Sequence, residues 1–429
     1  MRILKPEPEH GDRVPVRWEV HASWALFFGI ALLMLGNGLQ GTLLGVRAKI
    51  EGFATASIGV LMSGYYAGYL LGSVQTPRLL SRVGHIRVFA ALASLASGAV
   101  LLHVVAVHPV PWVFLRLASG FAIAGLFVVA ESWLNDRATN ENRGRLLSVY
   151  MVVLMGGLGA GQFLLNAAPP SGFELFILAS VLLSFALVPI SLTAKPGPEI
   201  PRLTGLAPRA VFRAAPLGVV TAVMTGVSYS TLFAIGPVYA TTVGLDPAAV
   251  SVFMAATIFG GVVVQIPLGT LSDQTDRRIV IVGAAAGAAG LAVVGALVVG
   301  ASPGPLTALA ALLGGLAVPL YSLGVAHTND YLDADLRASA SGTLVLLNGV
   351  GATVGPLAVS SLMAAFGADA FFWFLAATHV VVAAYALWRI TRRAAVAEDE
   401  RAHYEPLAAR ATPVVTAMLE DEATDSVPA

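Results

Sequence analysis

The residues best able to do chemistry in this sequence are a few ionisable and polar groups set inside long apolar runs. Arg116 stands within Trp112-Val-Phe-Leu-Arg116-Leu, and Glu131 follows 15 residues later in the same run. At 1.5 Å per helical residue the two lie about 22 Å apart. A guanidinium in an apolar layer suits anion recognition or the tuning of a proton-binding partner; the competing reading has it snorkel outward or bond carbonyls. A carboxylate at Glu131 is able to take up and release a proton, unless it lies at the polar boundary and pairs with Arg143 or Arg145. Asn37 and Gln40 share one helix face at i, i+3 and sit at a depth similar to Arg116, so the three can form one polar cluster. His327 and Asp330 form a second candidate pair for proton handling, although a histidine at such a boundary more often bonds a carbonyl. His379 reads as a packing group. Tyr229 with Phe233, and Tyr65 with Tyr69, are aromatic pairs at i, i+4; each either lines a cavity or packs between helices.

Other chemistries lack their residues. The chain has no cysteine, which removes disulfides, thiol catalysis and thiolate metal sites. Its histidines are scattered, with no cluster at catalytic or metal-ligating spacing, so no catalytic residue, metal or cofactor is assigned and an enzyme is not expected. No G-x-x-x-x-G-K-[ST] loop is present to use ATP. Lys plus Arg equals Asp plus Glu at 25 each, which gives no sign of a nucleic-acid partner.

The elements that must hold these residues are membrane spans. Of 429 residues 57% are hydrophobic and 12% charged, with mean hydropathy +0.79, against about 25% charged in soluble domains. Twelve apolar runs are read at 22–46, 56–80, 86–107, 111–134, 144–168, 173–193, 214–240, 247–271, 278–300, 304–327, 338–364 and 369–391. Each can cross a hydrocarbon core of about 30 Å as a helix, and continuous runs in lipid admit no open sheet. The first run is span-length and lacks a small-x-small cleavage site, so it is not read as a cleaved signal. Placing the N-terminus in the cytoplasm puts 22 of the 25 Lys and Arg inside, Arg47 and Lys49 outside and Arg116 within a span. The expected organisation is a cytoplasmic tail (1–21), a six-helix bundle (22–193), a flexible cytoplasmic linker (194–213) rich in Pro and Arg, a second bundle (214–391) and a disordered cytoplasmic tail (392–429).

The two bundles are copies. Asn135-Asp136 and Arg143 recur as Asn329-Asp330 and Arg337, and Gly157 and Gly161 as Gly351 and Gly355, all at an offset of 194. Gln75-x-Pro77 recurs as Gln265-x-Pro267. Both copies run in the same direction, the parallel arrangement of transporters whose halves rock around a midplane site. Tyr229 is then the counterpart of Asn37.

Over residues 20–391 the sequence resembles the major facilitator superfamily (MFS). The resemblance rests on a loop of form G-x-L-x-D-R-x-G-R-R after spans 2 and 8. The second copy keeps Gly269, Leu271, Asp273, Arg277 and Arg278 but has Asp276 where the family has Gly; the first keeps Leu79, Arg82 and Gly84 but has Ser81 in place of the Asp. Arg116-x-x-Ser119-Gly120 is similar to the family's R-x-x-Q-G, and Glu131-Ser-Trp133-Leu-Asn135-Asp136 to its YcaD-type bacterial branch. The resemblance implies the MFS fold, with spans 1 and 4 lining the cavity. It also implies that the loop at Arg82, Gly84, Gly269, Asp273, Arg277 and Arg278 latches the halves in one state, with Asp273 facing the start of span 5 near Arg143. The expected function is a monomeric secondary transporter in the bacterial inner membrane, moving a small organic solute, coupled to protons. The alternatives are a proton-driven exporter of lipophilic compounds, weakened by Gln162 where the antiporter signature has Pro, and a non-transporting sensor of the same fold.

Overall fold

A computed structural model of the chain describes residues 17–139, 142–191, 206–297, 303–396, 401, 402, 404 and 412, without the side chains of 17–23, 334 and 335. Twelve long helices run through the described residues: α1 Arg17–Ile50, α2 Thr55–Val83, α3 His85–Val105, α4 Pro109–Arg137, α5 Arg143–Phe163, α6 Glu174–Ser191, α7 Pro216–Thr242, α8 Pro247–Gln274, α9 Arg277–Leu297, α10 Pro303–Asn329, α11 Ala334–Phe366 and α12 Ala370–Ile390. Eleven are long and apolar enough to cross a membrane. The twelfth, α2, carries Gln75, Arg78 and Arg82 near its end, which lowers its hydropathy. It is 29 residues long and packs between α4 and α11. The outer surface is apolar, with Val152, Val263, Ile266 and Leu297 all largely exposed, as a lipid-facing shell requires.

Local chemistry sets the helix ends. Pro109, Pro216 and Pro247 open their helices, where a missing N–H is not needed. The Asp246 carboxylate accepts from Ala249 N at 2.8 Å and caps α8. Three spans are broken within, the first being α6, which divides into Glu174–Phe185 and Leu187–Ser191. Pro237 has no N–H and its ring crowds the carbonyl four residues back, so α7 widens into a π-helical turn over Thr231–Ile235. Pro319 divides α10 into Pro303–Ala317 and Leu320–Asn329 for the same reason.

Close backbone approach ties each half together, and the two halves use it alike. A Cβ at Gly68 would lie 2.0 Å from the Leu117 carbonyl, and one at Gly120 1.9 Å from that of Tyr65, so α2 and α4 touch backbone to backbone. The α8–α10 pair repeats this at Gly260 and Gly314. The repeated Gly161 and Gly355 each press against the first helix of their own half, 2.6 Å from Leu35 O and 2.5 Å from Val227 O by the same measure.

The halves meet along α2–α11, α5–α8 and α1–α7. Gly59 at the start of α2 abuts Ser360 and Pro356 of α11, and Gly45 of α1 abuts Pro237 and Val238 of α7. These contacts seal the end of the bundle that bears the α1–α2 turn. There Arg47 pairs with Glu51 at 2.7 Å and donates to the Pro170 and Gly172 carbonyls.

Residues 1–16, and most of the expected linker at 192–205, lie outside the described residues. α1 starts at Arg17, earlier than the apolar run. The end of the linker is a short helix, Pro208–Ala214, tied to α11 by Thr343 Oγ1 donating to Leu206 O at 2.7 Å. Most of the tail expected to be disordered, at 392–429, lies outside the described residues; Arg401, Ala402, Tyr404 and Thr412 are described and lie against the bundle. Polar side chains at the ends of α8–α10 bond the backbone of Ala402 and Tyr404.

Candidate functional site

Between the halves lies a small cavity lined by Tyr65, Tyr66, Tyr69 and Ser73 of α2, Tyr229 of α7, and Asn348 and Gly349 of α11 among others. Tyr229 and Phe233 stand one turn apart beside the π-turn with ring centroids 4.2 Å apart. Tyr229 forms the wall and Phe233 supports it from behind. Tyr65 meets Tyr66 edge-on at 5.4 Å and Tyr69 at 6.2 Å. Asn348 donates to Ala222 O at 3.0 Å and lies 3.3 Å from Thr225 Oγ1, so its side chain is fixed in place.

Asn37 and Arg116 meet through Tyr65, and Gln40 lies against Ser119, one turn along α4 from Arg116. The Tyr65 hydroxyl donates to Asn37 Oδ1 at 3.2 Å, and its ring lies under the Arg116 guanidinium at 4.2 Å. Gln40 reaches Ser119 Oγ at 3.4 Å. Arg116 is 3% exposed and does not line the cavity. It stands behind Tyr65, so its charge acts on the cavity through that ring. Asn37, Gln40 and Phe233 also stand behind the cavity wall. Gln162, in the position of the absent signature proline, instead accepts from Thr42 and donates to Gly38 O and Leu158 O at 3.2 and 3.0 Å, bonding α5 to α1.

Glu131 is buried at 1% exposure. Tyr150 of α5 donates to Oε1 at 2.8 Å, and Thr412 of the tail donates to Oε2. A carboxylate surrounded by apolar helices and approached by hydroxyls can exchange a proton while both partners stay neutral. Nothing local in the sequence marks Tyr150, because its partnership with Glu131 exists only once α4 packs beside α5. Asn348 was detectable as a lone amide in an apolar run, the signal that singled out Asn37.

The second-half candidates form another cluster. Asp330 lies 3.5 Å from Arg277 Nε and accepts from Ala402 N at 3.0 Å. Burial pushes its carboxyl up to about 6, against the opposing pull of Arg277 and the Ala402 amide. His327 is buried against the Tyr331 ring at 5.0 Å and lines a small pocket with Arg278, Arg389 and Arg393. His379 bonds Leu375 O and Ser228, as a packing histidine does.

In the last turn of α8, Asp273 accepts from Arg277 and from Tyr404 N, both at 3.0 Å. Asp276 explains its departure from the family pattern. It takes Arg278 at 2.7 Å, which holds its carboxyl below the usual range despite burial. The matching Gly84 sits at φ +88, whereas no described non-glycine residue has positive φ. The second loop therefore replaces a left-handed turn with an ion pair. Arg82 is exposed, and Arg143 is buried at the start of α5.

A family model described as Major Facilitator Superfamily matches residues 26–300 and 218–419. An uncharacterized MFS-type transporter of Enterobacter sp. (strain 638) is 28% identical over 342 residues, 79% of this chain and 88% of that one. The uncharacterized MFS-type transporter YcaD of Escherichia fergusonii is 26% identical over 364 residues, 83% of this chain and 92% of that one. Among solved structures, the nucleoside transporter NupG superposes with TM-score 0.70 at 14% identity, over 87% of this chain and 100% of that one. A bacterial homolog of the human lysosomal transporter Spinster gives 0.66 at 15%, over 90% and 99%. At such identities these two speak for the fold alone. With both halves matched by the model, YcaD-type relatives along most of its length and paired six-helix bundles around a central cavity, the chain belongs to the Major Facilitator Superfamily.

Proposed function

We propose that this multi-pass membrane transporter moves a small organic solute by rocker-switch alternating access, driven by protons, as a monomer in the bacterial inner membrane with both termini in the cytoplasm. The observation that carries the reading is Glu131, a buried carboxylate bonded by Tyr150 at the far end of the helix that holds Arg116 behind the tyrosine-lined cavity. Tyr229 lines the solute site, and Asn37, Gln40, Arg116 and Phe233 support its wall from behind. Glu131 carries the proton, with His327 and Asp330 as a second relay. Arg82, Gly84, Gly269, Asp273, Arg277, Arg278 and Arg143 control the conformational change. Four tyrosines and one fixed asparagine at the cavity favour a solute with a ring or other flat apolar face and a few hydrogen-bonding groups.

Export of lipophilic compounds by proton antiport is the second reading, favoured by the predominance of aromatic rings over charge in the cavity wall. The test is a thermal-shift screen of a solute panel on purified protein, followed by transport of each hit in proteoliposomes under an imposed pH gradient. Hits that accumulate on the alkaline side are imported with protons, and hits driven to the acidic side are exported against them. If hits bind and none crosses the membrane with or without the gradient, the protein is a sensor and the transporter reading fails.

A further inference from the structure

The ends of α8, α9 and α10 carry polar groups that bond Arg401, Ala402 and Tyr404 of the chain's own tail. Arg277 Nη2 donates to Ala402 O at 2.6 Å, while Ala402 N donates to Asp330 Oδ1 at 3.0 Å. Both polar groups of one tail residue are thus satisfied by side chains from two helices. Tyr404 N donates to Asp273 Oδ1 at 3.0 Å, and Arg401 donates to Thr275 O at 2.7 Å. The Tyr404 ring lies flat on Gly269, 2.2 Å from where a Cβ would be, and packs on the apolar cluster around Leu217, Val280 and Leu320. Backbone bonds supply affinity and a single seated side chain supplies register, the usual division in peptide recognition. Further along, Thr412 crosses to the other half and bonds Glu131.

We propose that the tail acts as an intramolecular inhibitor through Arg401, Ala402, Tyr404 and Thr412. Seated on Gly269, Asp273, Arg277 and Asp330 and reaching Glu131, it holds the halves apart at the end opposite the Gly59–Ser360 seal. The proposal rests on the alternating-access reading, because the segment occupies two places that such a cycle must free. One is the end of α8, whose Asp273 would otherwise meet the other half; the other is the proton-bearing carboxylate. A ligand that binds one of two states shifts their ratio toward that state. A tethered ligand does so at an effective concentration on the order of millimolar. The segment is therefore able to hold the transporter at rest until it is displaced.

The absence of cysteine makes a direct test practicable. In a Glu131→Cys, Thr412→Cys chain in nanodiscs, oxidation is expected to form an intramolecular disulfide. Gly269→Val or Tyr404→Ala, which unseat the ring, should reduce its yield severalfold. Separately, Ser360→Cys reports the sealed end, where this residue is fully buried. Truncation after residue 396 should speed its modification by a maleimide severalfold, and a synthetic peptide of residues 397–429 should slow it again. A missing 131–412 cross-link overturns the proposal. So does equal, measurable Ser360→Cys modification in full-length and truncated chains. No modification of either chain, with or without a thermal-shift hit present, instead overturns alternating access and takes the proposal with it.

Discussion

At the level of single residues, the site is a set of buried polar groups that each find a partner across a helix boundary. Asn37 and Arg116 are joined through Tyr65, and Glu131 is joined to Tyr150. Asn37, Arg116 and Glu131 were legible because a charge or amide inside an apolar run is costly to keep without a partner. Tyr150 was not, and Tyr65 was read only as lining or packing, because a tyrosine suits packing as well as bonding and only tertiary contact separates the two. Tyr229 gives the sharpest test at this scale. Tyr229→Ala should weaken binding of a thermal-shift hit roughly three- to tenfold, the worth of a lost ring contact. Tyr229→Phe should keep most of the affinity. Titration calorimetry on the purified variants measures both, and equal losses would place the contribution in the hydroxyl.

Among the elements, helix positions followed closely from apolar runs, since length and continuity suffice to mark a span. What escaped were interruptions and attachments. The π-turn before Pro237 and the break at Pro319 depend on proline geometry inside otherwise uniform runs. The helix at Pro208–Ala214 and the seat of Ala402 and Tyr404 depend on partners from distant elements. The α2–α4 crossing yields a stability prediction. Gly68→Ala places a Cβ against the Leu117 carbonyl, and the helices must separate. The expected destabilisation is about 1–3 kcal/mol, read as a lower Tm in detergent, whereas Ala at Gly98, which meets open space, should change little.

Asp330 at the end of α10 yields a pH prediction. Its carboxyl, raised to about 6, binds a proton more tightly in the folded state than the ordinary carboxylate does once unfolded. Stability from this group is therefore fully present at low pH and is lost as pH rises toward about 6. The Tm of wild type should fall relative to that of Asp330→Asn between about pH 4 and 6 and run parallel above. Parallel curves throughout would remove the assignment.

For the whole molecule, the two-fold repeat read from Asn135, Asp136, Gly157 and Gly161 and their copies reappears as matched helix pairs closed by matched glycines. The unequal divergence is physical too: only the second loop has lost its glycine turn, and the Asp276–Arg278 pair fills that place. Orientation rests on the distribution of arginine. A single Cys at exposed Ser81 should react with an impermeant maleimide only from the cytoplasmic face, and one at exposed Ala54 only from outside. The reverse pattern would invert the assignment.

Proton-coupled transport through Glu131 is the central claim, and proton movement itself tests it most directly. Wild type and Glu131→Gln would be reconstituted in liposomes with an entrapped pH-sensitive dye, and each thermal-shift hit added outside without an imposed gradient. The account expects at least one hit to change the internal pH with wild type. It expects none to do so with Glu131→Gln, while that variant still exchanges the same solute between the two sides. Equal pH changes in the two proteins would contradict the role given to Glu131, and solute movement without any pH change in wild type would contradict proton coupling altogether.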